Sequence, residues 1–223
     1  MATTLVTGSS RGIGLALCRQ FLARGDEVIA VCRNASPALN DLEARVETGV
    51  DVSHPANISD LAGRLKGVKL EVLINDAGIL SRQLLGEIDE AAVAAIKDQY
   101  AVNSVGPLLV TQALLGNLSE GSKVAIVTSR MGSITDNTSG GSYGYRMSKA
   151  AVNMVGKSLA HDLKDRGIAV ALLHPGWIRT EMTGGTGNAD AAEAAAGLIA
   201  RIDELTLETT GGFWHANGER LPW

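Results

Sequence analysis

Tyr145 and Lys149 are the residues whose types and spacing most directly offer acid–base chemistry. Side chains four positions apart on a helix lie on one face, so the phenol and the ammonium group would be neighbours. A phenol with an ordinary pKa of about 10 is a poor general base at neutral pH. A neighbouring positive charge favours the phenolate, so we expect a lowered pKa for Tyr145, closer to the pH at which acid–base catalysis is efficient. Tyr143 has Met147 four positions on and is predicted to form a pocket wall.

Other residues suited to a reaction site follow apolar runs of the sequence. Ser129 ends one such run, and Pro175-Gly176 ends another, with Thr180 close behind. Asn103 lies where a long helical pattern is interrupted by a proline. Because Tyr-x-x-x-Lys alone occurs by chance in many helices, the prediction of a reaction site depends on these residues occurring together with it.

The apolar runs alternate with helical patterns along the whole chain. We predict strands at 3–7, 27–32, 45–50, 71–75, 123–128, 168–174 and 211–215. We predict helices after residue 14 and at 55–66, 87–118 (as two pieces, or broken near 103), 143–165 and 189–202. Continuous apolar strands alternating with helices indicate a parallel sheet covered on both faces. The predicted fold class is therefore α/β, a single-domain doubly wound (Rossmann-type) parallel sheet of about seven strands over residues 1–223, with ligands bound beyond the carboxyl ends of the strands.

A glycine-rich turn joins the first strand to the first helix. Gly8 permits the turn, Gly12 lets the backbone approach a pyrophosphate, and Gly14 lets the helix lie close to the sheet. The helix N-terminus offers free N–H groups and the positive end of its dipole to phosphates. The residues predicted to contact a dinucleotide in this turn are Gly8, Ser10, Arg11, Gly12, Ile13 and Gly14.

The end of the second strand distinguishes NADP(H) from NAD(H). An acidic residue there would bind the ribose 2′-hydroxyl and repel a 2′-phosphate, but the sequence reads Val-Cys-Arg-Asn from 31 to 34. Arg33 is suited to a bidentate contact with a 2′-phosphate, and Arg11 could add a second positive charge. The alternative is that both are solvated surface arginines. The sequence favours NADP(H) as the cofactor.

These motifs together resemble the short-chain dehydrogenase/reductase family. They comprise the Thr-Gly-x-x-x-Gly-x-Gly turn from Thr7, Asn103, the Ser-x-x-Gly at Ser129, the Tyr–Lys pair, and Pro175-Gly176 with Thr180, all in the family's order. The resemblance covers nearly the whole chain. The segments 130–133, 140–149 and 221–223 further resemble the C-factor and sniffer-like carbonyl reductases within that family.

The resemblance implies a role for each catalytic residue. Tyr145 would protonate a carbonyl oxygen while hydride comes from the nicotinamide, and Ser129 would hydrogen-bond that oxygen. Lys149 would bind the nicotinamide ribose and, with the positive nicotinamide ring, lower the pKa of Tyr145. Asn103 would hold a water that continues a proton relay from Lys149. The further cofactor contacts that it implies are Asp51, Val52, Asn75, Ala77, Gly78, Pro175, Gly176, Ile178 and Thr180.

Asp76 departs from the family pattern, because Asn-Asp-Ala-Gly stands at 75–78 where the family has Asn-Asn-Ala-Gly. We expect altered local hydrogen bonding or slightly weaker dinucleotide affinity, without loss of binding. His174 is predicted to be packed or hydrogen-bonded to backbone, and Trp177 either to shape the site or simply to pack.

Composition sets other classes of protein aside. The net charge of −4 and the 4% of aromatic residues give no basic, aromatic-interleaved surface for nucleic acid. No run of 18 uncharged apolar residues predicts a membrane span. Cys18 and Cys32 lack metal-ligand spacing and are predicted to be buried, reduced thiols, so no metal is expected. With no signal peptide recognised, we expect a cytoplasmic protein.

The sequence therefore predicts an NADP(H)-dependent oxidoreductase that acts on a small-molecule carbonyl or alcohol, as a homodimer or homotetramer if it follows the family. Two alternatives remain open: an NADP(H)-binding signalling or redox-sensor protein with little turnover, and an epimerase or dehydratase. The complete set of Ser129, Tyr145, Lys149 and Asn103 argues against the first. The second usually carries a substrate domain, for which 223 residues leave little room. The short, small-residue segment after Thr180 predicts an open site and names no substrate.

Overall fold

A computed structural model of the chain describes residues 2–223, so Met1 of the predicted domain lies outside it. The strands are β1 Thr3–Thr7, β2 Glu27–Val31, β3 Arg45–Glu47, β4 Leu70–Asn75, β5 Leu118–Val127, β6 Ala169–His174 and β7 Gly212–His215. The helices are α1 Gly12–Ala23, α2 Pro37–Asn40, α3 Pro55–Arg64, α4 Glu90–Tyr100, α5 Gly106–Ala113, α6 Tyr143–Asp162 and α7 Ala191–Glu204. The strands form one sheet in the order β3-β2-β1-β4-β5-β6-β7, with every neighbouring pair parallel. The predicted doubly wound sheet of seven strands is confirmed.

Two hydrophobic cores cover the two faces of the sheet. One lies against α3, α5 and α6 and includes Leu73, Val110 and Val152, all fully buried. The other lies against α1 and α7 and includes Phe21 and Leu198. Side chains of the central strands alternate between these cores, so the strands read as continuous apolar runs in the sequence. The free thiols Cys18 and Cys32 lie in the second core, as predicted.

The start of β5 differs from the prediction. β5 begins at Leu118, which had been assigned to the end of a helix, and reaches Val127. Its first residues are polar, and the register against β4 shifts between Leu70 and Val72. The hydroxyl of Ser122 donates to the carbonyl of Leu70 at 2.7 Å across that irregularity. This side-chain bond completes a strand whose apolar pattern starts only at residue 123.

The interruption predicted near Asn103 is present, and it takes the form of a widened turn between two helices. A π-helical turn, Ala101–Val105, joins α4 to α5, and the N–H of Gly106 donates to the carbonyl of Ala101, five residues back. In an α-helix the N–H of residue 107 would bond the carbonyl of Asn103, and Pro107 has no N–H to give. The π turn accommodates this proline without ending the helix.

Candidate active site

A cleft of about 560 Å³ opens at the carboxyl ends of the central strands. From the predicted site it is lined by Gly8, Ser10, Arg11, Gly12, Ile13, Arg33, Asp51, Val52, Ala77, Gly78, Tyr145, Lys149, Pro175 and Thr180. The other predicted residues do not line it; they are Gly14, Asn75, Asn103, Ser129, Gly176 and Ile178. The carboxyl ends of parallel strands meet at one edge of a sheet, which is why segments distant in sequence share this cleft.

The glycine turn brings backbone, not side chains, to the cleft. Gly8 has a φ of +72°, and a Cβ there would lie 2.8 Å from the backbone of Ala77. A Cβ on Gly14 would lie 2.5 Å from the carbonyl oxygen of Gly8. α1 begins at Gly12, and the side chain of its N-cap residue, Arg11, makes no capping hydrogen bond. The first turn of α1 therefore offers N–H groups uncapped by that side chain, as a phosphate site requires.

The hydroxyl of Thr7 ties β1 to the segment after β4. It accepts hydrogen bonds from the N–H groups of Asp76 at 3.1 Å and Ala77 at 3.2 Å. Asn75 is buried, and its amide donates to the hydroxyl of Thr111 at 3.2 Å. Asn75 thus holds β4 against α5, while Ala77 reaches the cleft.

Arg33 lies at the open end of the cleft, after β2. Its side chain is 65% exposed, and its Nη1 is 3.9 Å from Oδ2 of Asp51. Asp51 accepts hydrogen bonds from the N–H and hydroxyl of Ser53, at 2.9 and 2.6 Å. Burial acts to raise the pKa of Asp51, but the hydrogen bonds from Ser53 outweigh it and the pKa is lowered. The Arg33 guanidinium is held loosely enough to contact a phosphate.

Arg11 is paired with an acid that sequence inspection did not connect to it. Its Nη1 lies 2.8 Å from Oε2 of Glu181, and the two side chains are 67% and 72% exposed. Glu181 follows Thr180, and both line the cleft opposite the glycine turn. The ion pair therefore spans the mouth of the cleft between two segments that line it.

Tyr145 lines the cleft, and Ser129 lies close to it without lining the cleft itself. Both are buried, and the Ser129 hydroxyl is close enough to the phenol to lower its pKa. The Ser129 Oγ also accepts a hydrogen bond from the N–H of Met131 at 3.1 Å, which leaves its own proton available. The Lys149 Nζ lies 5.7 Å from the centre of the Tyr145 ring and donates to the carbonyl of Val127 at 2.9 Å. The predicted neighbourhood of phenol and ammonium is present.

The expected lowering of the Tyr145 pKa is wrong for the groups of this chain. Burial raises the pKa of Tyr145 to about 12; the Ser129 hydroxyl acts to lower it and the carboxyl of Asp76 acts to raise it. Burial also lowers the pKa of Lys149 to about 8, so the ammonium holds its proton less firmly than a surface lysine. The neighbouring charge alone would predict a lowered pKa for Tyr145, but removing the phenolate from water has the larger effect on that pKa here.

Asn103 connects two segments of the site through its side chain. From the π turn, its Oδ1 accepts from the N–H of Ile79 at 2.8 Å. Its Nδ2 donates to the carbonyl of Ile79 at 2.9 Å and to the hydroxyl of Ser148 at 3.0 Å. Both amide hydrogens of Asn103 are thus used, so a relay water would be held by the second lone pair of its Oδ1 or by the backbone carbonyl of Asn103.

The loop after β6 forms another side of the cleft. Gly176 has a φ of +102°, and a Cβ there would lie 3.5 Å from the ring of His215. Ile178 is buried and pairs with Ala189 in an isolated parallel bridge. This bridge fixes the loop just before Thr180, whose side chain comes within 4 Å of a Cβ placed on Gly12.

His174 and Trp177 flank this loop. The rings of His174 and His215 meet edge to face at 5.0 Å, and burial lowers the pKa of His174 to about 3, followed in effect by the charges of His215 and Arg130. His174 is therefore neutral and packed, as predicted. Trp177 is 54% exposed and does not line the cleft, so neither of its two predicted roles, packing or shaping the site, is supported.

Comparison with known proteins agrees with this arrangement. The family model of the short chain dehydrogenases matches residues 2–191. The chain belongs to this family. It is 44% identical over 229 residues to 1-hydroxy-2-glutathionyl-2-methyl-3-butene dehydrogenase of Rhodococcus sp. (strain AD45), with both chains covered completely. It is 43% identical over 157 residues to the C-signal of Myxococcus xanthus, covering 69% of this chain and 93% of that protein.

Solved structures of this family are similar over the whole chain. The carbonyl reductase Sniffer of D. melanogaster has a TM-score of 0.90 at 29% identity, with both chains fully covered. The NADPH-bound carbonyl reductase from chicken fatty liver has a TM-score of 0.89 at 29% identity, covering 100% of this chain and 99% of that one. The predicted resemblance to the C-factor and sniffer-like branch of the short-chain dehydrogenases is confirmed.

Two glutamines of this short-chain dehydrogenase also position the site, although no sequence motif identifies them. Gln83 is buried, and its Oε1 accepts from the N–H of Gly144 at 2.9 Å. Gln99 is fully buried, and its Oε1 accepts from the N–H of Ser81 at 2.8 Å. The loop after β4 is thereby fixed to α4 and to the first turn of α6, which carries Tyr145. In a single sequence these glutamines look like ordinary surface residues.

Proposed function

We propose that the chain is an NADP(H)-dependent oxidoreductase that transfers a hydride between the nicotinamide and a carbonyl or alcohol carbon, with Tyr145 as the general acid or base. The observation that carries the proposal is the buried Tyr145, with the Lys149 Nζ 5.7 Å from the centre of its ring, in the same cleft as the glycine turn and Arg33. The NADPH-bound carbonyl reductase of similar fold supports it.

The residues at the cleft fit NADP(H). A Cβ on Gly8 or Gly14 would strike backbone, so the turn is built for close approach of a phosphate to the main chain. Arg33 at the end of β2 supplies the positive charge for a 2′-phosphate, and Asp51 beside it lies after β3, outside the strand end where an NAD-selecting acid occurs. Ala77, Gly78, Pro175 and Thr180 would contact the remainder of the dinucleotide. The bound cofactor would supply or accept the hydride.

The proton steps fall to the chain's own side chains. In reduction, Ser129 would donate a hydrogen bond to the carbonyl oxygen, and Tyr145 would give its phenolic proton to the same oxygen. A phenol whose pKa is raised to about 12 is fully protonated at neutral pH, which suits the acid role. Lys149 would then return a proton toward Tyr145, supplied through a water near Asn103. Oxidation of an alcohol would run through the same steps reversed.

The substrate class is a small carbonyl compound or the corresponding alcohol. Carbonyl reductases are among the structures of similar fold, whereas the relative with 44% identity is named as a dehydrogenase of a glutathionyl alcohol. A panel should therefore contain aldehydes, ketones and quinones with NADPH, and glutathione-conjugated alcohols with NADP⁺. NADH and NAD⁺ are run in parallel.

The decisive comparison is wild type against Tyr145→Phe, with Tyr143→Phe as the matched control. We expect turnover with NADP(H) that falls at least about 100-fold in Tyr145→Phe and stays within about threefold in Tyr143→Phe, given the usual size of general acid catalysis. Full activity in Tyr145→Phe would refute the assignment of the proton donor. NADPH binding without turnover of any panel member would favour the alternative of a sensor protein, to which the similarity with C-signal also relates.

We also propose that the chain forms a homodimer or homotetramer. Leu108 on α5 and Met154 on α6 are 37% and 67% exposed and line one shallow surface hollow. Leu114, near the end of the same helix, is fully buried in the core, and Leu109 packs against that core, so neither is available for the contact. Sedimentation of wild type and of Met154→Lys would test this: we expect the variant to dissociate, and a monomeric wild type would contradict the proposal.

A further inference from the structure

Asp76 is an acidic side chain at the floor of the cleft to which the proposed mechanism gives no part. It follows β4, and the hydroxyl of Thr7 fixes its backbone N–H at 3.1 Å. Its Oδ2 lies 2.8 Å from the position of a Cβ on Gly14, whose N–H acts to lower the pKa of the carboxyl. The carboxyl group therefore lies under the first turn of α1.

The ammonium group of Lys149 reaches over the same segment. Both the Lys149 Nζ, at 3.9 Å, and the carbonyl oxygen of Asp76, at 3.8 Å, lie close to one point, the position of a Cβ on Gly78. Lys149 is 5% exposed, and its Nζ donates to the carbonyl of Val127. A buried ammonium loses its hydration, so a negative charge nearby decides whether it stays protonated.

Apart from Lys149, the titratable groups coupled to Asp76 are uncharged at neutral pH. The charge of Asp76 acts on Tyr145 of α6 and on Cys18 of α1, and burial raises the pKa of each to about 12. Lys149 is the cation whose charge acts on Asp76. Burial raises the pKa of Asp76 to about 7 and lowers that of Lys149 to about 8, and each charge opposes the shift of the other. The two groups therefore titrate as a pair.

We propose that Asp76 is the counter-charge that keeps Lys149 protonated inside the cleft, and thus a positioning residue for proton transfer at Tyr145. The inference rests on the proposed function for its last clause only. Where the family pattern has an uncharged asparagine, this chain holds a carboxylate that shares the site with Lys149. The pH range over which Lys149 can pass a proton toward Tyr145 is then set by Asp76.

Titration of Lys149 by NMR in the cofactor-free protein tests the proposal without any turnover. Lysine is labelled with ¹³C at the ε carbon, and the midpoint of the Lys149 signal is followed with pH in wild type and Asp76→Asn. Asparagine keeps the size and the acceptor for the Gly14 N–H. We expect the Lys149 midpoint in Asp76→Asn to fall by on the order of one pH unit. This is the size of a charge interaction over several ångströms at an effective dielectric constant of about 20. An unchanged midpoint would overturn the proposal.

Asp136→Asn is the matched control, since it removes an acid that pairs with Arg130 elsewhere, and its Lys149 midpoint should equal that of wild type. The reciprocal measurement guards against misfolding of Asp76→Asn. In Lys149→Met, the ¹³C signal of the Asp76 carboxyl should show a midpoint raised by a similar amount, because coupling between two sites is symmetric. No rise there would equally refute the proposal.

A kinetic readout then links the pair to Tyr145. If the enzyme turns over, the pH profile of kcat/KM should shift in Asp76→Asn in step with the Lys149 midpoint, while a purely structural role would lower kcat at every pH alike. A shifted NMR midpoint in a protein without turnover would defeat the proposed function and leave the coupling of Asp76 and Lys149 intact.

Discussion

Arg11 and Glu181 are 170 positions apart, yet their side chains meet at 2.8 Å across the mouth of the cleft. Arg11 belongs to the glycine turn and Glu181 to the segment after β6. Their ion pair therefore crosses the opening through which a dinucleotide would enter the cleft. An exposed ion pair of this kind contributes at most about 1 kcal/mol, so it is easily exchanged for a contact with a phosphate.

Release of Arg11 should strengthen cofactor binding. In Glu181→Gln we expect the Kd for NADPH to fall about two- to fivefold at low salt, because the guanidinium no longer has a competing carboxylate. Fluorescence titration of NADPH measures this. Glu204→Gln, which breaks a similar exposed pair with Arg201, serves as the control. An equal gain for NADH would mean that Arg11 acts on the pyrophosphate and not on the 2′-phosphate.

Arg33 should determine the preference for NADPH. Arg33→Ala is expected to raise the Kd for NADPH about 10- to 100-fold, the loss of a charge-assisted hydrogen bond worth roughly 1.5–3 kcal/mol, and to leave NADH binding unchanged. The same fluorescence titration applies, and Arg19→Ala, an exposed arginine on α1, is the control. If both cofactors weakened equally, the contact with the 2′-phosphate would be refuted.

Gly132 should be required for the placement of α6. A Cβ there would lie 2.6 Å from the carbonyl carbon of Lys149, in backbone that cannot move aside alone. Gly132→Ala should cost about 1–3 kcal/mol of unfolding free energy and lower kcat more than tenfold by displacing Lys149 and Tyr145. Urea unfolding and steady-state kinetics measure the two effects.

Gly63 on α3 provides the matched substitution, since nothing lies within 4 Å of a Cβ there. Gly63→Ala should stabilise the protein by about 0.5–1 kcal/mol without changing kcat, because alanine favours the helix. A Gly132→Ala variant that behaved in the same way would contradict the close packing of α6 against the segment after β5.

The carboxyl of Asp76 should make stability depend on pH. Its pKa is about 7 in the folded chain and near 3.8 when unfolded, so between these values the folded state binds more protons and stability falls as pH rises. Asp76→Asn should therefore unfold at a higher temperature than wild type at pH 8 and at nearly the same temperature at pH 4. Thermal unfolding of both proteins measures the difference, in which the opposing contribution of His174 cancels. A constant difference across that range would contradict the raised pKa.

Sequence reasoning reached the sheet and most of the cleft because both depend on local patterns. The strands are recognisable as apolar runs. Gly8 and Arg33 follow strands and Lys149 lies on the helix after β5, so the topology brings them together. The direction of the Tyr145 pKa was missed because burial is a property of the finished fold. The ion pair of Arg11 with Glu181 was missed because no local pattern relates residues so distant in the chain.

The π turn at Ala101–Val105 also sets the rotation of α5 about its axis relative to α4. Before the turn, Gln99 of α4 accepts a hydrogen bond from the N–H of Ser81; after it, Thr111 of α5 accepts one from the amide of Asn75. Both bonds can form only if the two helices keep their rotation relative to each other. Deleting a single residue from the turn would rotate one helix against the other by about 100°. Substitutions at Ala101 or Val105, unlike those at Asn103, should accordingly be far better tolerated than insertions or deletions in this segment.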